Sequence, residues 1–154
     1  MPDKGDMHCR SMSGPPPAPG KSCGTCTACC RLMAVPELYK TAWVDCPNCA
    51  IGKGCKVYPD RPESCRDFNC GWLLAPYMGE ELKPDRCHVV FCQPYDHTDT
   101  IVANCDPRAP DAWRTPHVME MLHFLARVSQ RIVLVQVENR CWRILEDRIV
   151  PITS

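Results

Sequence analysis

The chain carries no excess of charge. Its 154 residues hold 18 basic and 18 acidic side chains, a formal net charge of zero. Nothing in that balance points to nucleic acid or an anionic membrane as partner. Long apolar runs are also missing: no stretch approaches the roughly 18 residues a membrane-spanning helix needs. The opening residues, Met1 to Lys21, contain no apolar segment that could serve as the core of a secretory signal. A soluble, cytoplasmic protein is therefore expected. No dinucleotide Gly-rich loop, phosphate loop, H-E-x-x-H or G-x-S-x-G signature occurs, so no motif argues for catalysis.

What the chain has instead is cysteine, 14 residues of it. Cys23, Cys26, Cys29, Cys30, Cys46, Cys49, Cys55, Cys65 and Cys70 fall within one stretch, interrupted by Gly24, Pro36, Pro47, Gly52, Gly54, Pro59, Pro62 and Gly71. Those breakers cut helices and strands into pieces too short to form a core, so something must cross-link the loops. In a reducing cytosol, clustered cysteines point to metal ligation in preference to structural disulfides.

Two spacings compete for the ligand set. Cys23, Cys26 and Cys29 recur at intervals of three, as in the opening of a bacterial ferredoxin run that wraps a [4Fe-4S] cube. The next ferredoxin ligand is missing, because Met33 stands where its Cys-Pro would be and the first Cys-Pro is Cys46-Pro47. A distant fourth ligand is required. The alternative pairs Cys23-x2-Cys26 with Cys46-x2-Cys49, at the separation of a four-cysteine zinc site. A thioredoxin-like redox pair at Cys23 and Cys26 lacks the βαβ context it needs. Cys29 and Cys30 are adjacent and point in different directions, so they do not serve identical roles.

The second half of the cluster runs from Gly54-Cys55 through Tyr58, Arg61-Pro62 and Cys65-Arg66 to Phe68 and Cys70. Together with C-x2-C-x2-C-C at residues 23–30, this pattern resembles the YkgJ-type cysteine-cluster family, whose CxxCxxCC domain is associated with chelation of zinc or iron. The resemblance covers residues 23–70, about a third of the chain, and fades beyond Gln93. It implies metal chelation by these cysteines, often as an iron–sulfur cluster, and no settled reaction. Around such an anionic site Lys53, Lys56, Arg61 and Arg66 are expected to supply compensating charge, with surface ion pairs to Asp60, Glu63 or Asp67 as the competing role for the arginines. Tyr58, Phe68 and Trp72 are expected to limit solvent access.

Elsewhere the signals are weaker. The Pro/Gly-rich tail, residues 1–21, is expected to be extended and mobile; its Met7, His8, Cys9 and Met12 are soft ligand types suited to Cu(I), although a chance grouping is the simpler reading. Cys87 to Cys92 reads as a strand bracketed by two cysteines; Cys87 and His88 could complete a metal site, while Cys92 and Cys87 also fit as small buried residues. Asp96, His97 and Asp99 suit a solvated turn better than a cation site. A strand follows over Thr100 to Asn104. Thr115-Pro116 opens a helix to about Gln130, with Val118, Met121, Leu122, Leu125 and Val128 as its buried face. His117 and His123 do not share a face and make a poor ligand pair. Ile132 to Val137 and Cys141 to Leu145 form a hairpin about Glu138-Asn139-Arg140. Cys105 and Cys141 are read as core residues.

The expected fold class is α+β. A tail (1–21) is followed by a loop-rich cysteine-cluster module (22–92) and a small antiparallel sheet with one packed helix (93–154), the last two allowed to form one continuous domain. The expected function is a metal-chelating protein holding an iron–sulfur cluster or zinc, in a metal-binding or electron-transfer role. The alternatives are a cluster-dependent enzyme that modifies another protein, and a structural zinc module that mediates a protein interaction. Expected partners are the metal or cluster and a protein.

Overall fold

A computed structural model describes residues 17–22, 26–60, 65, 70–94, 97 and 99–152, with the side chains of Pro36 and Tyr58 excepted. The fold is α+β. Helix α1 (Ala28–Leu32) and a two-stranded ribbon, β1 (Cys49–Ala50) with β2 (Gly54–Cys55), belong to the cysteine-rich half. Two short helices follow, α2 (Gly71–Leu74) and α3 (Pro84–Cys87). Then come β3 (Val89–Cys92), β4 (Thr100–Cys105), α4 (Pro116–Val128), β5 (Ile132–Val137), β6 (Arg140–Ile144) and β7 (Ile149–Ile152). Among the described residues no helix is long and apolar enough to cross a membrane.

The five strands of the larger sheet lie in chain order, β3-β4-β5-β6-β7. Three of the pairings are antiparallel, as expected; β4 and β5 run parallel, with Ala103 opposite Val135. A parallel pair needs a crossover, and the segment carrying α4 supplies it. By register, Val89, Phe91, Ala103, Cys105, Val133, Val135 and Ile144 share one face, and all are buried. Val118, Leu122 and Leu125 of α4, at helical spacing, join the same core. Val90, Cys92, Val102, Asn104 and Gln136 are buried on the opposite face, which explains why β3 reads as an unbroken apolar run.

At the far edge, β7 carries Pro151, which offers no ladder donor to an incoming strand. The core does not stop at the sheet. Leu32 of α1 and Trp72 and Leu73 of α2 belong to the cluster that contains Val118 and Ile144, so both halves of the chain close over one interior.

Several expectations need correction. The strand does not begin at Cys87: that residue ends α3, and His88, at φ 61°, is the left-handed cap that breaks the helix from β3. Val128 is 51% exposed. Ten residues beyond Val118, it has turned about 80° off the buried line. Thr115 is the residue before α4, but its hydroxyl donates to Ala112 O and caps no helical N–H. Trp72 is sunk in the main core, its Nε1 donating to Gly79 O at 3.0 Å, so it is no cover over the cysteines.

Leu122→Ala should therefore cost about 2–5 kcal/mol in urea unfolding, the range for a large buried aliphatic. Val128→Ala on the same helix should stay within about 0.5 kcal/mol, as an exposed substitution does. Equal losses at the two positions would contradict the assignment of the buried face.

Candidate metal centre

The first turn of the site is α1, whose sequence is ACCRL. Its Cys30 carbonyl accepts from Cys46 N at 3.1 Å, which brings the second cysteine segment alongside. Cys46-Pro47-Asn48-Cys49 is a tight turn closed by Cys49 N donating to Cys46 O at 3.0 Å. Cys49 then starts β1 and lies directly across the ribbon from Cys55. Gly52, at φ 74°, lets the ribbon reverse, and its N–H donates to Thr27 Oγ1 at 3.1 Å, tying the tip to the start of α1. Three stretches distant in sequence are thus stitched together by backbone bonds at the cysteines.

The electrostatics follow this grouping. Hydrogen bonds from Cys29, and then from Cys49, pull the Cys30 thiol down to about 6 against the opposing effect of burial, with Lys40 helping. Burial and the adjacent Cys30 push Cys49 up to about 11. Cys65 is also pushed up to about 11, by burial first and then by Cys30, Cys46 and Cys55. Cys30 is therefore the thiolate at neutral pH while Cys49 and Cys65 hold their protons, the distribution expected where like charges crowd.

The compensating cation is Lys40, which the sequence did not single out. It is only 7% exposed, and its ammonium donates to the carbonyls of Arg31, Met33 and Thr41 around the end of α1. Burial lowers its pKa, opposed by Cys46, Cys30 and Cys29. It is aimed inward by a tight bridge between Val35 and Lys40, where Tyr39 takes φ 52° and is left 96% exposed. Lys53 and Lys56, the expected cations, are exposed.

The remaining candidates lie elsewhere. Cys26 sits beside Asp85, its thiol raised by burial. Cys70 is buried in the main core, where Lys21 feels its charge. Cys87 is pushed up to about 12 by burial and donates to the carbonyls of Leu82 and Val89, and Cys105 donates to Ala109 O. These two behave as core thiols. Cys92 is disulfide-bonded, which removes it from the candidate ligands, and Cys141 is half-buried. His88 is exposed. Cys23, Arg61, Arg66, Phe68, Asp96 and the tail's Met7, His8, Cys9 and Met12 lie outside the described residues, as does the Tyr58 side chain.

Both spacings read from the sequence include Cys23, which lies outside the described residues; among the described cysteines, hydrogen bonds, strand register and mutual electrostatic effects link one group. The group is Cys29, Cys30, Cys46, Cys49, Cys55 and Cys65. Among the described residues, no three Cys, His, Asp or Glu side chains stand close enough together to hold a metal ion as placed.

Known proteins add little. No model of a known protein family matches the chain, and no solved structure matches it. It is similar to Protein E6 of cottontail rabbit papillomavirus (strain Kansas), 31% identical over 100 residues, 60% of this chain and 33% of that protein. The chain therefore aligns with about a third of that relative's length.

In reduced, metal-free protein, Cys30 should be alkylated by iodoacetamide with a midpoint near pH 6, and Lys40→Met should move the midpoint upward. A midpoint near the ordinary value of 9.0 would contradict the grouping. Stability should depend on pH in both directions. The depressed Cys30 stabilises the fold fully above its unfolded value and loses that contribution as pH falls through about 6. Cys49 and Cys65 contribute as neutral thiols, fully below about 9 and progressively less as pH rises through about 11. Thermal melts of the metal-free protein should peak between those limits.

Proposed function

We propose that the chain is a metal-chelating cysteine-cluster protein in which thiolates drawn from Cys29, Cys30, Cys46, Cys49, Cys55 and Cys65 hold the metal in a metal-binding or electron-transfer role. The observation that carries this reading is the convergence of α1 and the Cys46–Cys49 turn on one buried lysine, with the β1–β2 ribbon running directly out of that turn at Cys49. A structural thiol cluster in a core has no need of a buried cation. A multiply charged thiolate site does, because such sites are stabilised by nearby positive charge and by donors to sulfur. The motif's resemblance to the YkgJ-type proteins supports the same reading.

Zinc suits the donor set best. A tight Cys-x2-Cys turn and a cysteine pair across a two-stranded ribbon are all-sulfur elements of the kind that four-coordinate structural zinc uses. When bound, the metal would tie the three segments together and lend them folding energy. The C-x2-C-x2-C run favours a second reading, an iron–sulfur cluster, which would add electron transfer.

Anaerobic purification followed by metal analysis and a visible spectrum tests the proposal. Stoichiometric zinc in colourless protein supports the first reading; a brown protein whose absorption is bleached by reductant supports the second. Cys30→Ser, Cys46→Ser and Cys65→Ser should each lower metal per chain, because a hydroxyl does not replace a thiolate ligand. Cys105→Ala should leave the metal in place and cost about 1 kcal/mol or somewhat more in stability. An emptied Cys105→Ala protein beside a full Cys65→Ser protein would overturn the assignment.

A further inference from the structure

Helix α4 buries Val118, Leu122 and Leu125 in the core, and a second set of its side chains stays in solvent. Glu120, Arg127 and Val128 are exposed, and Phe124, only partly buried, stands among them at the i, i+3 and i+4 spacings that put residues on one face. Tyr77, from the turn after α2, holds its ring 5.9 Å from that of Phe124 and is itself 58% exposed. Tyr77, Phe124 and Val128 thus make an apolar surface, with one charge of each sign beside it on the same helix. The Arg127 guanidinium lies 5.8 Å from the Phe124 ring, and neither Arg127 nor Glu120 has an ion-pair partner among the described residues.

The placing of those two charges selects the occupant. Glu120 and Arg127 are seven residues apart, so they lie on one side of α4, each about 5 Å along the axis from a midpoint beside Phe124. A second α4 laid antiparallel across that midpoint brings its Arg127 level with Glu120 and its Glu120 level with Arg127. Laid parallel, it would set glutamate against glutamate and arginine against arginine. The surface is therefore complementary to itself in one orientation, which is what a two-fold interface requires, since the same patch serves both subunits. Ion pairs at such a rim fix orientation more than they add affinity, so the apolar centre supplies the attraction. The edge of the sheet at β7 is no competing route, because Pro151 gives an incoming strand no ladder donor.

We propose that α4 is a self-association surface: two copies of the chain pack their α4 helices antiparallel about a two-fold axis, with Tyr77, Phe124 and Val128 of both at the centre and Glu120 of each copy against Arg127 of the other. One 13-residue helix and one added ring make a small interface, so the dimer is weak, with a Kd on the order of 10–100 μM. No cysteine takes part, so the dimer stands or falls separately from chelation.

Sedimentation equilibrium of the full chain, without oxygen and with a phosphine reductant that prevents disulfide-linked species, tests this over about 5–500 μM. The average mass should rise from that of one chain toward that of two. Glu120→Arg and Arg127→Glu each bring like charges together at both contacts and should weaken the dimer at least about tenfold, with helix content by circular dichroism unchanged. Mixed in equal amounts, the two variants should associate as the wild-type chain does, because every contact then joins opposite charges. The double variant should dimerise alone for the same reason. A chain that stays monomeric up to about 500 μM overturns the proposal. So does a dimer that both single variants leave unchanged, or a mixture of the two that stays monomeric where the wild-type chain dimerises.

Discussion

A lysine ammonium buried among thiols is costly unless its charge is matched and its donors are used, since desolvation favours its neutral form. Lys40 meets both conditions. Two carbonyls at the end of α1, Arg31 and Met33, and that of Thr41 take its hydrogen bonds, and the charge of Cys46, Cys30 and Cys29 opposes its deprotonation. The cysteine-rich half depends on this arrangement because its elements are too short to stand alone: α1 has five residues and each ribbon strand has two. A helix of that length is far below what propensity sustains in water.

The same device appears a second time. Lys21 donates to the carbonyls of Trp72 and Ala75 at the end of α2 and to that of Met78 in the turn beyond, and lies over the Trp72 ring at 4.5 Å. Each lysine satisfies carbonyls that a short helix leaves open, and each fastens a loop distant in sequence or just beyond it. The sheet with α4 needs no such fastening, because its buried strands and helix face supply an apolar core. The chain therefore combines two ways of closing a fold: apolar burial in one half, and charge and sulfur in the other.

That division governs how much could be read from sequence. Helix α4, β4, β5 and β6 were legible because apolar periodicity and the Thr115-Pro116 start are local signals, accurate here to a residue or two. The parallel pairing of β4 with β5 was not, since register depends on where the crossover lands. The last strand, β7, was missed because Pro151 argues against a strand, and only an edge position tolerates it. Within the cluster, residue type was readable and grouping was not. Spacing suggested Cys23, Cys26 and Cys29 or Cys23, Cys26, Cys46 and Cys49, and Cys23 lies outside the described residues; the backbone bonds that bring the Cys30, Cys46 and Cys49 segments alongside one another leave no mark in the spacing. Lys40 gave no local sign at all, for a single lysine in a loop ordinarily points to water.

The most direct measurement is X-ray absorption at the metal edge of protein purified without oxygen. The account predicts a first shell of sulfur alone, at about 2.3 Å, the zinc–thiolate distance. A shell dominated by nitrogen or oxygen, or a chain that carries no metal, would contradict it.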